Sequence, residues 1–183
     1  MATRPKATIK DLYRLPEDGK AEIVNGELIS MALRGFLPGR AAGTIYLSLR
    51  EYERSTKAGF AFPDNTGFKV ELPHRESFSP DCAFYTGKPT GMKFPEGAPI
   101  FAAEVRSEGD YGPGAEQAIA DKRADYFAAG TRVVWDVDLL SEEAVRVYRA
   151  SEPNRPTVYR RGEVAEAEPA LPGWSMPVDE LFA

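Results

Sequence analysis

The chain has 183 residues, 43% apolar and 28% charged, with a formal net charge of −5. That make-up fits one globular domain over 1–183 with a real core, and it lacks the basic excess of a general nucleic-acid binder, though a local basic groove is still compatible with it. A single cysteine (Cys82) and a single histidine (His74) exclude an internal disulfide, a Cys-based zinc site and a His-rich metal site.

No stretch approaches the roughly 18 apolar residues of a membrane span. "MATRPKATIK" has no apolar secretory core, so a cytoplasmic location without a membrane partner is expected. "TIKDLYRLP" (8–16) predicts a short helix with Thr8 as N-cap and Pro16 as the stop. Asn25-Gly26 in "AEIVNGELISM" predicts a type I′ hairpin with strands near 21–24 and 27–32. Residues 39–59 follow a helical period, with Ala41, Ala42, Ile45, Leu49 and Tyr52 on one face and Gly59 as the cap. "TGFKVEL" (66–72) alternates as a half-buried strand, and "DCAFY" (81–85) reads as another. "PIFAAEV" (99–105) is an interior strand.

"GPGAEQAIADKRADYFAAG" (112–130) is the best helix in the chain, with Pro113 in its first turn and Gly130 at its end. The strand "TRVVWDVD" (131–138) follows at once, which predicts a crossover between parallel neighbours. "EAVRVYR" and "PTVYRR" read as peripheral antiparallel strands, and "GWSMPVDELF" closes the chain with a helical turn. The order is αββαβββαβ with extra strands. That is an α/β or α+β arrangement around a mixed sheet.

The chemistry gathers around a few acids. The two-residue period puts Ile100, Ala102, Glu104 and Arg106 on one face of their strand, and Phe101, Ala103 and Val105 on the other. Asp81 begins the preceding strand, so two carboxylates converge if the strands are neighbours. On the helix, Ala115, Ala118, Ile119, Tyr126 and Ala129 form an apolar stripe with Lys122 in its centre. An inward lysine can snorkel or pair with an interior acid. It is also what phosphodiester hydrolysis requires beside carboxylates that hold Mg²⁺. Glu22 and Glu71 are further candidates for such a site, and each has the plain alternative of a solvated strand residue. His74, in "LPHRES", reads as a solvated loop histidine. Trp135 and Trp174 read as packing residues, and Asp136 and Asp138 as the start of a turn. Lys88, Lys93, Arg106, Arg123 and Arg132 are either scattered surface charge or a ring around the site. Gly112-Pro113-Gly114 lacks the Gly-Lys-Ser/Thr of a P-loop and reads as an entry turn. Asp81 and Glu104 as a glycosidase pair would leave Lys122 without a task.

"EIVNGELI", "SPDCAFY", "FAAEVRSEGD" and "DKRADYFAAGTRVVWDVD", in that order, resemble the Uma-two family of endonucleases. That family belongs to the restriction-endonuclease-like superfamily with the PD-(D/E)xK signature. The likeness runs from about residue 8 to "LPGWSMPVDELF". It implies a restriction-endonuclease-like core, a mixed sheet flanked by helices. It implies that Pro80-Asp81 is the PD element, Glu104 the second acid, and Lys122 a lysine moved from the strand to the following helix. Glu22 falls on the family's hairpin glutamate.

Two positions depart from the family pattern. Pro38 stands where members often carry a histidine, and Arg106 where they often carry a small or apolar residue. Arg106 cannot deprotonate to act as a base, so a phosphate contact or charge balance is left to it. The expectation is therefore a Mg²⁺- or Mn²⁺-dependent nuclease. Asp81 and Glu104 would be the metal ligands, Lys122 and Glu22 would complete the site, and the substrate would be nucleic acid, with DNA favoured. Nucleases of this fold are often homodimers. The alternative is an inert nucleic-acid- or protein-binding module on the same fold.

Overall fold

The computed structural model describes residues 5–16 and 19–183. Residues 1–4, the start of the stretch read as lacking a secretory signal, and residues 17–18 lie outside them. The elements run α1 (Ile9–Leu12), β1 (Ala21–Val24), β2 (Glu27–Ser30), α2 (Phe36–Thr56), β3 (Phe60–Phe62), β4 (Phe68–Leu72), β5 (Arg75–Phe78), β6 (Cys82–Tyr85) and β7 (Phe101–Val105). Then follow α3 (Pro113–Ala128), β8 (Val133–Val137), β9 (Val145–Arg149), β10 (Glu152–Tyr159), β11 (Val164–Glu166), β12 (Ser175–Pro177) and a closing 3₁₀ turn, Val178–Phe182. No described helix is long and apolar enough to cross a membrane.

The main sheet has six strands in the order β10-β9-β8-β7-β6-β3. Only β7 and β8 run parallel, and α3 makes the crossover between them. The sheet is therefore mixed, as the strand–helix–strand succession predicted. Its central strands are buried on both faces, which is why β7 and β8 read as continuous apolar runs rather than alternating ones.

One face packs on α2. Ala41, Ala42, Ile45 and Leu49 recur at helical spacing and meet Cys82, Phe84, Phe101, Ala103 and Trp135. Trp174 closes this layer 5.0 Å from Trp135, ring centroid to centroid. The other face, with Ala83, Ala102 and Val134, takes Phe68, Phe78 and Tyr126. Ile100 lies one residue before β7 and packs on the α2 side instead of sharing the face of Ala102.

A second sheet, in the order β2-β1-β5-β4, carries the Asn-Gly hairpin. Asn25 and Gly26 both have positive φ, 52° and 74°, as a type I′ turn demands. Ser77 Oγ accepts the Ile23 amide at 2.9 Å and ties β1 to β5.

Several boundaries differ from the sequence reading. The first helix is only four residues long. Asp11 accepts both the amide and the hydroxyl of Thr8 at 2.8 Å and fixes its start. Helix α2 runs 36–56, and its left-handed cap is Lys57 (φ 54°), not Gly59. Gly59 serves a close approach: a Cβ there would lie 2.4 Å from the Tyr85 carbonyl oxygen. Four strands, β3, β5, β11 and β12, fall outside the sequence reading. In β5 the sequence "RESF" hides its pattern because the inward Arg75 is buried by ion pairing rather than by being apolar.

Helix α3 also sits differently. Asp125 and Tyr126 are its only buried residues. Its first half stands off the sheet, so Ala115, Ala118 and Ile119 line a cleft instead of packing into a core.

Candidate active site

Register assembles the acids. Cys82 pairs with Ala103 across the antiparallel β6–β7 ladder. Asp81, one residue earlier, therefore stands opposite Glu104, one residue later, and its amide donates to Ala103 O at 3.2 Å. On the other side Glu104 pairs with Asp136 across the parallel β7–β8 ladder. Opposed residues share a sheet face. Asp81, Glu104 and Asp136 thus form a row on the α3 side. That row lines a cleft of about 510 Å³ shared with Lys20, Arg34 and Arg106. Glu22 and Lys122 line it too, so Asp81, Glu104, Lys122, Glu22 and Arg106 reach one cleft.

Lys122 joins the two sheets. Its Nζ lies 2.9 Å from Glu22 Oε1 and 2.9 Å from Glu104 Oε1. Burial opposes the ammonium charge, but Glu104 and Glu22 outweigh it and raise the lysine pKa above its ordinary value. The two carboxylates thus favour the charged form of Lys122.

Glu22 is buried and takes the Ser79 amide at 2.7 Å and Arg75 Nη1 at 2.6 Å. Burial pushes its pKa up. Lys122 first, then Arg75, outweigh that and hold it below the usual glutamate value. Tyr126 donates its hydroxyl to Glu104 Oε1 at 2.6 Å and orients that carboxylate. Burial, then the nearby acids, raise the Tyr126 pKa well above the ordinary phenol value.

Asp81 is held by a different group. Its Oδ2 accepts the Val105 amide at 2.7 Å. Its Oδ1 meets Lys20 Nζ at 3.1 Å and the Arg34 guanidinium. Asp64 binds both cations from the other side, through Lys20 Nζ at 2.5 Å and Arg34 Nε at 3.3 Å. Burial pushes the Asp64 pKa up, and Lys20 and Arg34 together bring it below its ordinary value.

Arg106 does share the face of Glu104, but it is engaged elsewhere. Its Nε and Nη2 form a fork on Asp136 at 2.8 and 2.7 Å, and it also grips Glu116 of α3. Asp136 is thus a buried ion-pair partner inside β8 and not the start of a turn. Asp138 does begin the turn, accepting the Leu140 amide at 3.1 Å. Arg106 and Arg123 reach the cleft. Lys88, Lys93 and Arg132 are plain surface charge. Glu71 is exposed and lies outside the site. His74 sits in the β4–β5 turn, half exposed, with Nε2 2.7 Å from Asp125 Oδ1. Gly112 caps α3 with φ 98°, and Pro113 follows it, which fits an entry turn.

Sequence reasoning missed Lys20, Arg34, Asp64, Arg75 and Asp125. Arg34 precedes α2 in an apolar stretch and Lys20 precedes β1, so neither lies in a periodic element that would have assigned it a face. Asp125 offered one signal, since it is a single step along α3 from the inward Tyr126.

The donor set suits a hard divalent cation. Asp81 and Glu104 offer only oxygen, the ligand type of Mg²⁺ and Mn²⁺, and Mg²⁺ sites use one or two carboxylates with water and substrate phosphate. Both described contacts of Glu104 fall on Oε1, so Oε2 carries neither. Among the described residues no group of three or more His, Cys, Asp or Glu side chains is gathered as a metal cage.

A mixed sheet flanked by helices in this arrangement is the restriction-endonuclease-like fold. The chain belongs to the Uma2 family, described as "Putative restriction endonuclease", whose model matches residues 9–179. The crystal structure of "a putative nuclease belonging to DUF820" from Anabaena variabilis ATCC 29413 has the same fold. It superposes with a TM-score of 0.73 at 17% identity, covering 96% of this chain and 97% of that one. No curated protein matches this chain significantly.

Proposed function

We propose that this chain is a divalent-metal-dependent nuclease that hydrolyses phosphodiester bonds of nucleic acid, with DNA as the expected substrate. The observation that carries the reading is the register of Asp81 opposite Glu104, with Lys122 seated on Glu104.

Asp81 and Glu104 would hold Mg²⁺ or Mn²⁺, which supplies Lewis-acid activation of water and phosphate when bound. Lys122 stabilises charge that develops on the phosphoryl oxygens, because its position beside two carboxylates keeps it protonated. Glu22 is pinned by Arg75 and the Ser79 amide and fixes the ammonium in place. Tyr126 holds the Glu104 carboxylate in one orientation. Ala115, Ala118 and Ile119 supply an apolar wall to the cleft.

Cleavage of single- and double-stranded DNA and of RNA, with Mg²⁺ and with Mn²⁺, tests the reading. Loss of cutting in Asp81→Ala supports it. No cutting of any substrate, or an Asp81→Ala variant as active as the parent, sinks it.

A second reading, a non-catalytic binding module on the same fold, draws on the saturation of Asp81 by Lys20 and Arg34 and on Pro38 in the first turn of α2. Calorimetric titration with Mn²⁺ separates the two. A binding event that vanishes in Glu104→Ala rejects the inert module.

A further inference from the structure

The cations on Asp81 are placed to do more than neutralise it. Lys20 and Arg34 come from the two ends of the β1–β2 hairpin segment and converge on a single oxygen, Asp81 Oδ1. Their side chains are 12% and 17% exposed and line the cleft. Asp64 anchors both at the cleft wall independently of Asp81. Arg34 Nη1 also donates to Val105 O at 2.6 Å, which ties the guanidinium to the strand that carries Glu104. Asp64 and Asp81 against Lys20 and Arg34 make a neutral quartet.

A divalent cation held by Asp81 and Glu104 would bring positive charge onto the very oxygen that Lys20 and Arg34 share and would displace them from it. A substrate phosphate offers the displaced cations a new partner in the same cleft. The released donors, a compact ammonium and a planar guanidinium fork, are the two groups best suited to a phosphate.

We infer that Lys20 and Arg34 are exchangeable counter-ions of Asp81, which pass to a substrate phosphodiester when the metal binds. Metal and phosphate are then bound as a coupled pair, each raising the affinity for the other by the same factor. The inference rests on the nuclease reading and adds to it a substrate-binding pair and a reason for the metal to bind weakly without substrate.

The test needs no turnover. Titrate Mn²⁺ into the protein with and without dimethyl phosphate, a simple phosphodiester, and follow free aqueous Mn²⁺ by electron paramagnetic resonance. Dimethyl phosphate is expected to tighten Mn²⁺ binding to the wild type by about 5- to 150-fold, the usual range of coupling between two ligands. Lys20→Gln and Arg34→Gln should each bind Mn²⁺ more tightly than the wild type without phosphate and lose most of the phosphate-dependent gain. Lys20→Arg should keep it.

A purely structural quartet predicts the opposite pattern, with both variants losing Mn²⁺ affinity alongside their folded signal in circular dichroism. If Arg34→Gln does not fold, Lys20→Gln and the wild-type titration still decide. Mn²⁺ binding that depends on Asp81 and Glu104 but is indifferent to phosphate and to Lys20 overturns the inference and spares the nuclease reading. No Mn²⁺ binding under either condition overturns both.

Discussion

The two faces of the six-stranded sheet solve different problems with the same strands. Towards α2 the side chains are apolar and covered: Cys82, Ala103 and Trp135 pack against Ala42, Ile45 and Trp174. Towards α3 the same three strands place Asp81, Glu104 and Asp136 in a row. The helix above them seats only its second half. The apolar face needs no partner beyond shape. The polar face is held by shared ion pairs and hydrogen bonds, and among the described residues no buried side-chain nitrogen or oxygen lacks a partner. One face therefore supports the fold, and the cost of burying charge is concentrated where a cleft can use it.

The contrast is broken most sharply at its two centres. Lys122→Met is expected to lower cleavage by about 10²–10³-fold, as for loss of one preorganised charge-stabilising donor. It should also destabilise the fold by about 3–5 kcal/mol, because Glu22 and Glu104 lose a shared cation. Trp135→Ala should cost a similar amount, about 3–5 kcal/mol, through an unfilled cavity.

The pH dependence tells the two apart. Losing Lys122 removes the largest charge that holds the Glu22 pKa down, so Glu22 takes up its proton at higher pH in the variant and the Lys122→Met penalty shrinks on acidification from neutral pH. The Trp135→Ala penalty stays flat over that range. Denaturant unfolding at several pH values reads both.

Glu22→Gln sharpens the same comparison at smaller amplitude, roughly 1–3 kcal/mol at neutral pH. In the wild type the folded pKa of Glu22 is depressed. Its contribution is thus fully present above the ordinary glutamate value of about 4.3 and lost as pH falls through the lower folded value. The variant should show a shallower loss of stability on acidification.

On the apolar face, burial raises the Cys82 thiol pKa far above its ordinary value. A thiol reagent should label Cys82 only when the protein opens, and Cys82→Ala should cost about 1 kcal/mol. Glu71→Gln, exposed and outside the cleft, should change neither cleavage nor stability by more than about 0.5 kcal/mol.

Glu104 and Lys122 were legible because each interrupts a periodic apolar pattern, and a charge inside such a pattern must have a partner. Asp81 was legible from its place beside Pro80 at the head of a strand. The two-residue period puts Arg106 on the correct face, but no local pattern identifies its partner. Asp136 lies thirty residues away in sequence, and only the parallel register of β7 and β8 brings it within reach. Strand β5 escaped notice for a related reason. Its inward Arg75 is buried by Glu22 and Asp125, which come from two other elements.

Local pattern by itself determined the helices α2 and α3, the Asn-Gly hairpin, the apolar strands and the inward direction of Glu104 and Lys122, because side-chain periodicity follows from backbone geometry alone. The tertiary structure alone decided which charges meet. The Lys20–Arg34–Asp64 group around Asp81 and the half-raised seat of α3 depend on strand register and on packing between distant segments, where a Coulomb interaction answers to distance in space and not to separation along the chain.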